Sequence, residues 1–191
     1  MKTGLFFGSF NPVHSGHMAI ANYFAEFTDC HEVWFIVSPH NPLKKKSRLL
    51  NDYQRFEMVN MAIGDDPRFR VSDIEFGMPR PSYTIDTLMY LKEKYPQRRF
   101  ILIMGSDNLE SFERWKNYDQ IIGQYEVYVY PRPGVNPAKV FHHSSIRYVD
   151  APLIEISSSF IRESIRKGKD MRFFLPEQVY KYITEMNFYR K

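Results

Sequence analysis

The chain has a single cysteine, Cys30, so no internal disulfide can staple it. No apolar run approaches the ~20 residues of a membrane-spanning helix, and the first residues run straight into a strand-like segment with no charged and apolar leader. These absences predict a cytoplasmic protein with no membrane partner. No internal repeat, linker or low-complexity stretch breaks the sequence, and 191 residues leave little room for two cores, so one domain over residues 1–191 is expected. Charge excess is modest too: a formal net charge of +4 suits an anionic ligand but excludes little.

Apolar residues are plentiful: 43% of the chain is hydrophobic, with 16 Phe and 13 Tyr, which excludes a disordered chain. Thr3 to Phe7, closed by Gly8, and Glu32 to Val37, closed by Ser38 and Pro39, read as buried strands. Between them, in Gly16 to Phe27, Met18, Ala21, Phe24 and Ala25 fall at helical spacing, giving a βαβ opening. Asn51 is placed to cap a second helix carrying Tyr53, Phe56, Met58, Val59 and Met61 to Ile63. A short strand at Phe69 to Val71 and a helix at Thr84 to Leu91 follow. Phe100 to Met104 is an unbroken apolar run, read as a central strand; a helical segment with Tyr118 to Ile122 and a strand at Glu126 to Tyr130 come next. Two helices close the chain, from about Ser158 to Lys167 and from Pro176 to Met186, the proline in a favoured first-turn position.

This alternation predicts an α/β fold: a Rossmann-like, doubly wound, mostly parallel sheet with helices on both faces. Ligands bind such sheets beyond the carboxyl ends of the strands, so the loops after Phe7, Val37, Met104 and Tyr130 should converge on one crevice.

The first of those loops, Gly8-Ser9-Phe10-Asn11-Pro12-Val13-His14-Ser15-Gly16-His17, opens a helix, where free backbone N–H groups and the helix dipole attract phosphate. Gly8 permits a tight approach, Pro12 stiffens the turn and Gly16 admits a ligand to the helix start. His14 and His17 lie about one turn apart, so both imidazoles can face one anion. On its own, an i, i+3 histidine pair is also compatible with chance or with part of a metal site. The flanking residues decide: the stretch resembles the Gly-Gly-Thr-Phe-Asp-Pro-x-His-x-Gly-His signature of the adenylyltransferase and cytidylyltransferase superfamily. Phe7 stands at its first Gly and Asn11 at its Asp.

Further motifs narrow the resemblance. Pro81-Ser82-Tyr83-Thr84-Ile85-Asp86-Thr87-Leu88 resembles the Ser-Tyr-Thr-x-Asp-Thr-Leu block of nicotinate mononucleotide adenylyltransferases. Read as residues, Ser82 or Thr84 can cap this helix and Asp86 suits its first turn. The resemblance implies that Ser82, Tyr83, Thr84 and Thr87 bind the mononucleotide, with backbone N–H groups receiving the pyridine carboxylate. Trp115 is either packed between helices or, as the resemblance implies, stacked on the pyridine ring. Lys44, Lys45, Lys46 and Arg48 form a charge run of the kind usually solvated. Yet Lys44 precedes Arg55 of Arg55-Phe56-Glu57-Met58 at the spacing of the family's Pro-Pro-His-Lys and Arg-x-x-Met, with Leu43 at the His. The resemblance therefore implies Lys44 first, with Lys45 a close second, as the ligand of the mononucleotide phosphate, and the choice among Lys44 to Lys46 stays open.

On the other side, Gly105-Ser106-Asp107, Arg132-Pro133-Gly134 and Ile156-Ser157-Ser158-Ser159-Phe160-Ile161-Arg162 resemble the superfamily's Gly-x-Asp, Arg-x-Gly and Ile-Ser-Ser-Thr-x-Ile-Arg. They imply ATP contacts from Gly105, Asp107, Arg132, Ile156, Ser157, Ser158, Ser159 and Arg162, beside Gly8, Ser9 and Phe10 of the first loop. The resembling motifs run in family order from Gly4 to Arg162.

The resemblance implies an enzyme that transfers the adenylyl group of ATP to nicotinate mononucleotide by direct in-line displacement. His14 and His17 would be the catalytic donors, and Mg2+ would arrive with ATP, needing no metal site built by the protein. Class I aminoacyl-tRNA synthetases share a His-x-Gly-His, but their later Lys-Met-Ser-Lys-Ser loop and tRNA-binding domains are missing, so no nucleic acid partner is expected. A non-catalytic nucleotide sensor and a nicotinamide-preferring enzyme are the remaining alternatives. The sequence leaves both a monomer and a homo-oligomer open and gives Cys30, His142 and His143 no role.

Overall fold

Alternation of side chains along the strands divides the core into two layers. Phe6, Val33, Phe35, Val37, Ile101 and Ile103 point to one face of a sheet, while Leu5, Trp34, Ile36, Phe100, Leu102 and Met104 point to the other. Strands buried on both faces in this way require helices on both.

The computed structural model describes residues 1–39, 49–135 and 141–190. Its order is β1 (Lys2–Gly8), α1 (Ser15–Phe27), β2 (Glu32–Val37), α2 (Asp52–Ile63), β3 (Phe69–Ser72), α3 (Thr84–Lys94), β4 (Arg99–Gly105), α4 (Tyr118–Gln124), β5 (Glu126–Tyr130), β6 (Ile146–Tyr148), α5 (Ser158–Arg166) and α6 (Glu177–Glu185). One layer packs Ile20 and Phe24 of α1, Met58 and Val59 of α2, Ile161 of α5 and Val179 and Ile183 of α6 on the sheet. The other packs Ile85, Leu88 and Leu91 of α3 and Ile121 of α4. No helix among the described residues is long and apolar enough to cross a membrane.

The six strands run in the order β3-β2-β1-β4-β5-β6, and every neighbouring pair is parallel. This is the expected Rossmann-like sheet. The order reverses between β1 and β4, the point where such folds open a ligand crevice. Register keeps the strand ends level there: Gly8 pairs with Val37, Phe6 with Ile103 and Gly105 with Tyr130.

Every strand and helix expected from the sequence is present. Asn51 caps α2 through a reciprocal box with Gln54. Pro176 stands one residue earlier than expected, as the N-cap of α6. Unforeseen were β6, three residues of which two are exposed and so carry little apolar signal, and 3-10 helices at Ile74–Gly77, Ser106–Arg114 and Arg172–Phe174. Such tight turns lack the 3.6-residue period by which helices are read.

Candidate active site

The carboxyl ends of β1, β4 and β5 and the starts of α1, α3 and α5 surround a crevice of about 860 Å³. It is lined by His14, His17, Gly8, Ser9, Phe10, Ser82, Tyr83, Thr84, Gly105, Asp107, Trp115, Arg132, Ile156, Ser157, Ser158, Ser159 and Arg162, all singled out in the sequence. Thr87 is fully buried and does not reach the wall. Lys44, with its neighbours Lys45, Lys46 and Arg48, lies outside the described residues.

His14 is the N-cap of α1. Its ring accepts the His17 backbone N–H at Nδ1 (3.3 Å), and His17 Nδ1 accepts the His14 backbone N–H (3.2 Å). A capping box usually built from a hydroxyl and a carboxylate is here built from two imidazoles. The rings stack with centroids 3.7 Å apart and 24° between planes. Because each Nδ1 serves as an acceptor, a neutral ring must carry its proton on Nε2, which makes Nε2–H the donor edge. Burial, helped by the charge of Arg132, pushes the His14 pKa down to about 3, so this imidazole is neutral at physiological pH. Gly16 allows the stack: a Cβ there would lie 2.9 Å from Ile154 Cγ2 and 3.0 Å from His14 Nδ1.

The loop between β1 and α1 is braced from three directions. Asn11, fully buried, accepts at Oδ1 from the Tyr189 hydroxyl (2.8 Å) and the Leu50 N–H (3.3 Å). A neutral amide meets these donors without burying the charge that aspartate would bring, which accounts for Asn in the motif. Ser158 Oγ donates to the Pro12 carbonyl (2.9 Å) and Arg162 Nη1 to the Asn11 carbonyl (2.7 Å), tying the start of α5 to the histidine loop. Arg55, with no exposed surface, donates to the carbonyls of Ser9 (2.5 Å), Ser38 (2.9 Å), Pro39 (3.3 Å) and Leu50 (3.1 Å) and to Asp52 Oδ1 (2.6 Å). It thereby locks the loops after β1 and β2 together.

Phe10 is 2% exposed, its ring edge-on to His17 at 5.1 Å. Its side chain buttresses the histidine. Ser157 caps α5 by accepting the Phe160 N–H (3.2 Å), and Arg162 Nη2 donates to Ser159 Oγ (3.2 Å). Arg132 is held by its N–H to Ser106 Oγ (2.9 Å) and by Nη1 to the Ile154 carbonyl (3.4 Å). Arg132 and Asp107 close over Gly105 so tightly that a Cβ there would sit 2.5 Å from Asp107 Oδ1 and 2.7 Å from Arg132 Cγ. Tyr130, on the crevice wall, has its hydroxyl pushed up to about 12 by burial and stays protonated.

On the opposite wall the capping expectation fails. The N-cap of α3 is Tyr83, with no side-chain cap. Ser82 Oγ instead donates to Glu75 Oε2 (3.1 Å), and Thr87 Oγ1 donates to Glu75 Oε1 (2.7 Å). Glu75 is 2% exposed; burial raises its pKa, and the hydroxyls of Thr87, Ser38 and Ser82 oppose that rise. The N-cap side chain leaves the first turn of α3 uncapped, and the Asp86 and Thr87 N–H groups close onto the Tyr83 carbonyl at 3.0 and 3.2 Å. Trp115 is half-buried at the crevice wall, edge-on to Phe112 at 5.3 Å. Lys116 lies 4.7 Å over the Tyr83 ring and pairs with Asp86 at 2.8 Å.

Sequence reasoning overlooked Glu75, Asn108, Ser111, Arg114 and Tyr130, which also line the crevice. Glu75 sits in an irregular 3-10 turn with no local pattern to mark it. Arg114 and Ser111 belong to the 3-10 helix after β4, and Trp115 directly after them was the one available signal.

The chain matches the cytidylyltransferase-like family over residues 5–164. It is 52% identical over 193 residues to the probable nicotinate-nucleotide adenylyltransferase of Flavobacterium johnsoniae, covering 100% of both chains. The protein of the same description from Cytophaga hutchinsonii is 50% identical over 189 residues, 99% of this chain and 98% of its own. In fold, the chain resembles the Plasmodium falciparum nicotinic acid mononucleotide adenylyltransferase solved in complex with NaAD, with a TM-score of 0.81, 19% identity and coverage of 99% and 97% of the two chains. On these matches the chain belongs to the cytidylyltransferase-like family, among its nicotinate-nucleotide adenylyltransferases.

Proposed function

We propose that this chain, as one nucleotidyltransferase domain, transfers the adenylyl group of ATP to nicotinate mononucleotide, forming nicotinate adenine dinucleotide and pyrophosphate for NAD biosynthesis. The observation that carries the site assignment is the physical link between its two phosphate-facing halves. The mutually capped His14 and His17 and the serine-rich start of α5 line one crevice and are joined through Pro12 and Asn11.

A phosphate oxygen of the mononucleotide attacks the α-phosphorus of ATP, the bond to the bridging oxygen breaks, and pyrophosphate leaves in line. The monoester is already a competent nucleophile near neutral pH, so no residue is covalently modified and no strong base is required. The protein supplies position and charge stabilisation. His14 and His17 donate from Nε2 to α- and β-phosphate oxygens, and a neutral imidazole does so without the desolvation cost of a buried cation. Arg132, Arg162 and the N–H groups of the α5 start meet the remaining phosphate charge. Magnesium bound with ATP would supply charge neutralisation of the phosphates, and Asp107, its side chain 53% exposed at the crevice, is the carboxylate that would hold it through water.

On the other wall the uncapped α3 start receives the pyridine carboxylate and Trp115 stacks on the ring. An exposed carboxylate at a helix start gains only about 0.3–1 kcal/mol, and about 2 when partly buried, so preference for nicotinate depends on how sheltered and well placed those N–H groups are. The test is pyrophosphate release from ATP with nicotinate or nicotinamide mononucleotide. Faster release with nicotinate is expected; release with neither overturns the reading.

A further inference from the structure

Glu75 is a buried carboxyl group on the mononucleotide side of the crevice, and no step above uses it. Its two oxygens are divided between two elements of one helix start: Oε2 accepts from Ser82, just before the N-cap of α3, and Oε1 from Thr87, at the end of its first turn. Ser38, directly after β2, also hydrogen-bonds to it. The carboxylate thus ties the β2 loop to both ends of the α3 first turn. It also takes up Ser82 Oγ, one of the two hydroxyls, with Thr84, suited to satisfy that turn's own N–H groups. Without Glu75, the Ser82 hydroxyl is released and the first turn loses the buried carboxyl group that anchors it.

We propose that Glu75 is a positioning residue for substrate specificity: by engaging Ser82 and Thr87 it keeps the α3 start uncapped and fixed, so that its N–H groups meet the carboxylate of the pyridine mononucleotide. Glu75 acts through α3 and touches no reacting atom. Its effect falls on recognition of the carboxylate and not on the ATP side, which is built from β1, β4, β5 and α5. This inference rests on the proposed function, since it assigns the α3 start to the substrate's carboxylate.

The experiment is steady-state kinetics of wild type, Glu75→Gln and Glu75→Ala with ATP and each of the two pyridine mononucleotides. For Glu75→Ala the KM for nicotinate mononucleotide rises at least about tenfold, while kcat and the KM for ATP stay within about threefold. The preference for nicotinate over nicotinamide shrinks by about the same tenfold. Glu75→Gln keeps the shape, bonds to both hydroxyls and restores most of the binding. An unchanged KM in a folded Glu75→Ala protein, or equal losses in kcat and both KM values, overturns the proposal. Should Glu75→Ala fail to fold, Thr87→Val is the second variant, since it removes the donor to Oε1 from a buried position off the crevice wall: a raised KM for nicotinate mononucleotide alone supports the proposal, and an unaltered one overturns it. Wild type that does not turn over nicotinate mononucleotide refutes the underlying function, a result distinct from active wild type with an indifferent variant.

Discussion

His14 and His17 cap one another. Each Nδ1 accepts the other residue's backbone N–H, and the stacked rings form the first turn of α1 at the mouth of the crevice. The pair is therefore structural and chemical at once: the hydrogen bonds that start the helix also fix the tautomer that presents Nε2–H.

His14 should remain neutral well into acid. Its pKa is pushed down to about 3 from 6.5 by burial first and Arg132 second. Between those values the unfolded chain binds a proton that the folded chain does not, so stability rises with pH across the window and this contribution is complete above the unfolded value. Urea midpoints at pH 5 and pH 7 check it: wild type loses stability at pH 5, and His14→Asn loses less. Equal losses in the two proteins contradict the assignment.

Removing Arg55 should damage the scaffold before the chemistry. Arg55→Met leaves the carbonyls of Ser9, Ser38, Pro39 and Leu50 without their donor and Asp52 without its buried partner. A loss of about 3 kcal/mol or more is expected from chemical denaturation. Arg55→Lys does not restore it, because one ammonium cannot span five acceptors. A loss below about 1 kcal/mol in Arg55→Met would show that the brace is unimportant.

Trp115 provides both an affinity and an optical test. The other tryptophan, Trp34, is 1% exposed in the core, so a fluorescence change on adding nicotinate mononucleotide reports Trp115. Quenching in wild type is expected, and in Trp115→Ala a KM for the mononucleotide raised about two- to tenfold. No quenching together with an unchanged KM removes the ring from the stacking role.

Much of this was legible in the sequence because the signals are local. Runs such as Phe100 to Met104 announce a doubly buried strand, and Asn51 announces a cap, through nearest-neighbour physics alone. The histidines and the serine cluster were legible as members of a motif. What the sequence did not reveal depends on partners distant in the chain. Neither the Asn11 amide as a hub for Tyr189 and Leu50, nor Arg55 joining two loops, nor Glu75 drawing Ser82 from its capping role leaves a pattern in its own neighbourhood. The capping expectation at Ser82 or Thr84 failed for that reason: a local preference was overruled by a buried carboxylate reached only through the tertiary fold.

Turnover numbers of His14→Asn and His17→Asn, each measured with saturating ATP and nicotinate mononucleotide, test the shared phosphate grip most directly. Asparagine keeps an acceptor for the cap, so both variants fold, and kcat should fall about 10²–10³-fold while the mononucleotide KM moves only a few-fold. Wild-type turnover in both variants would contradict the account.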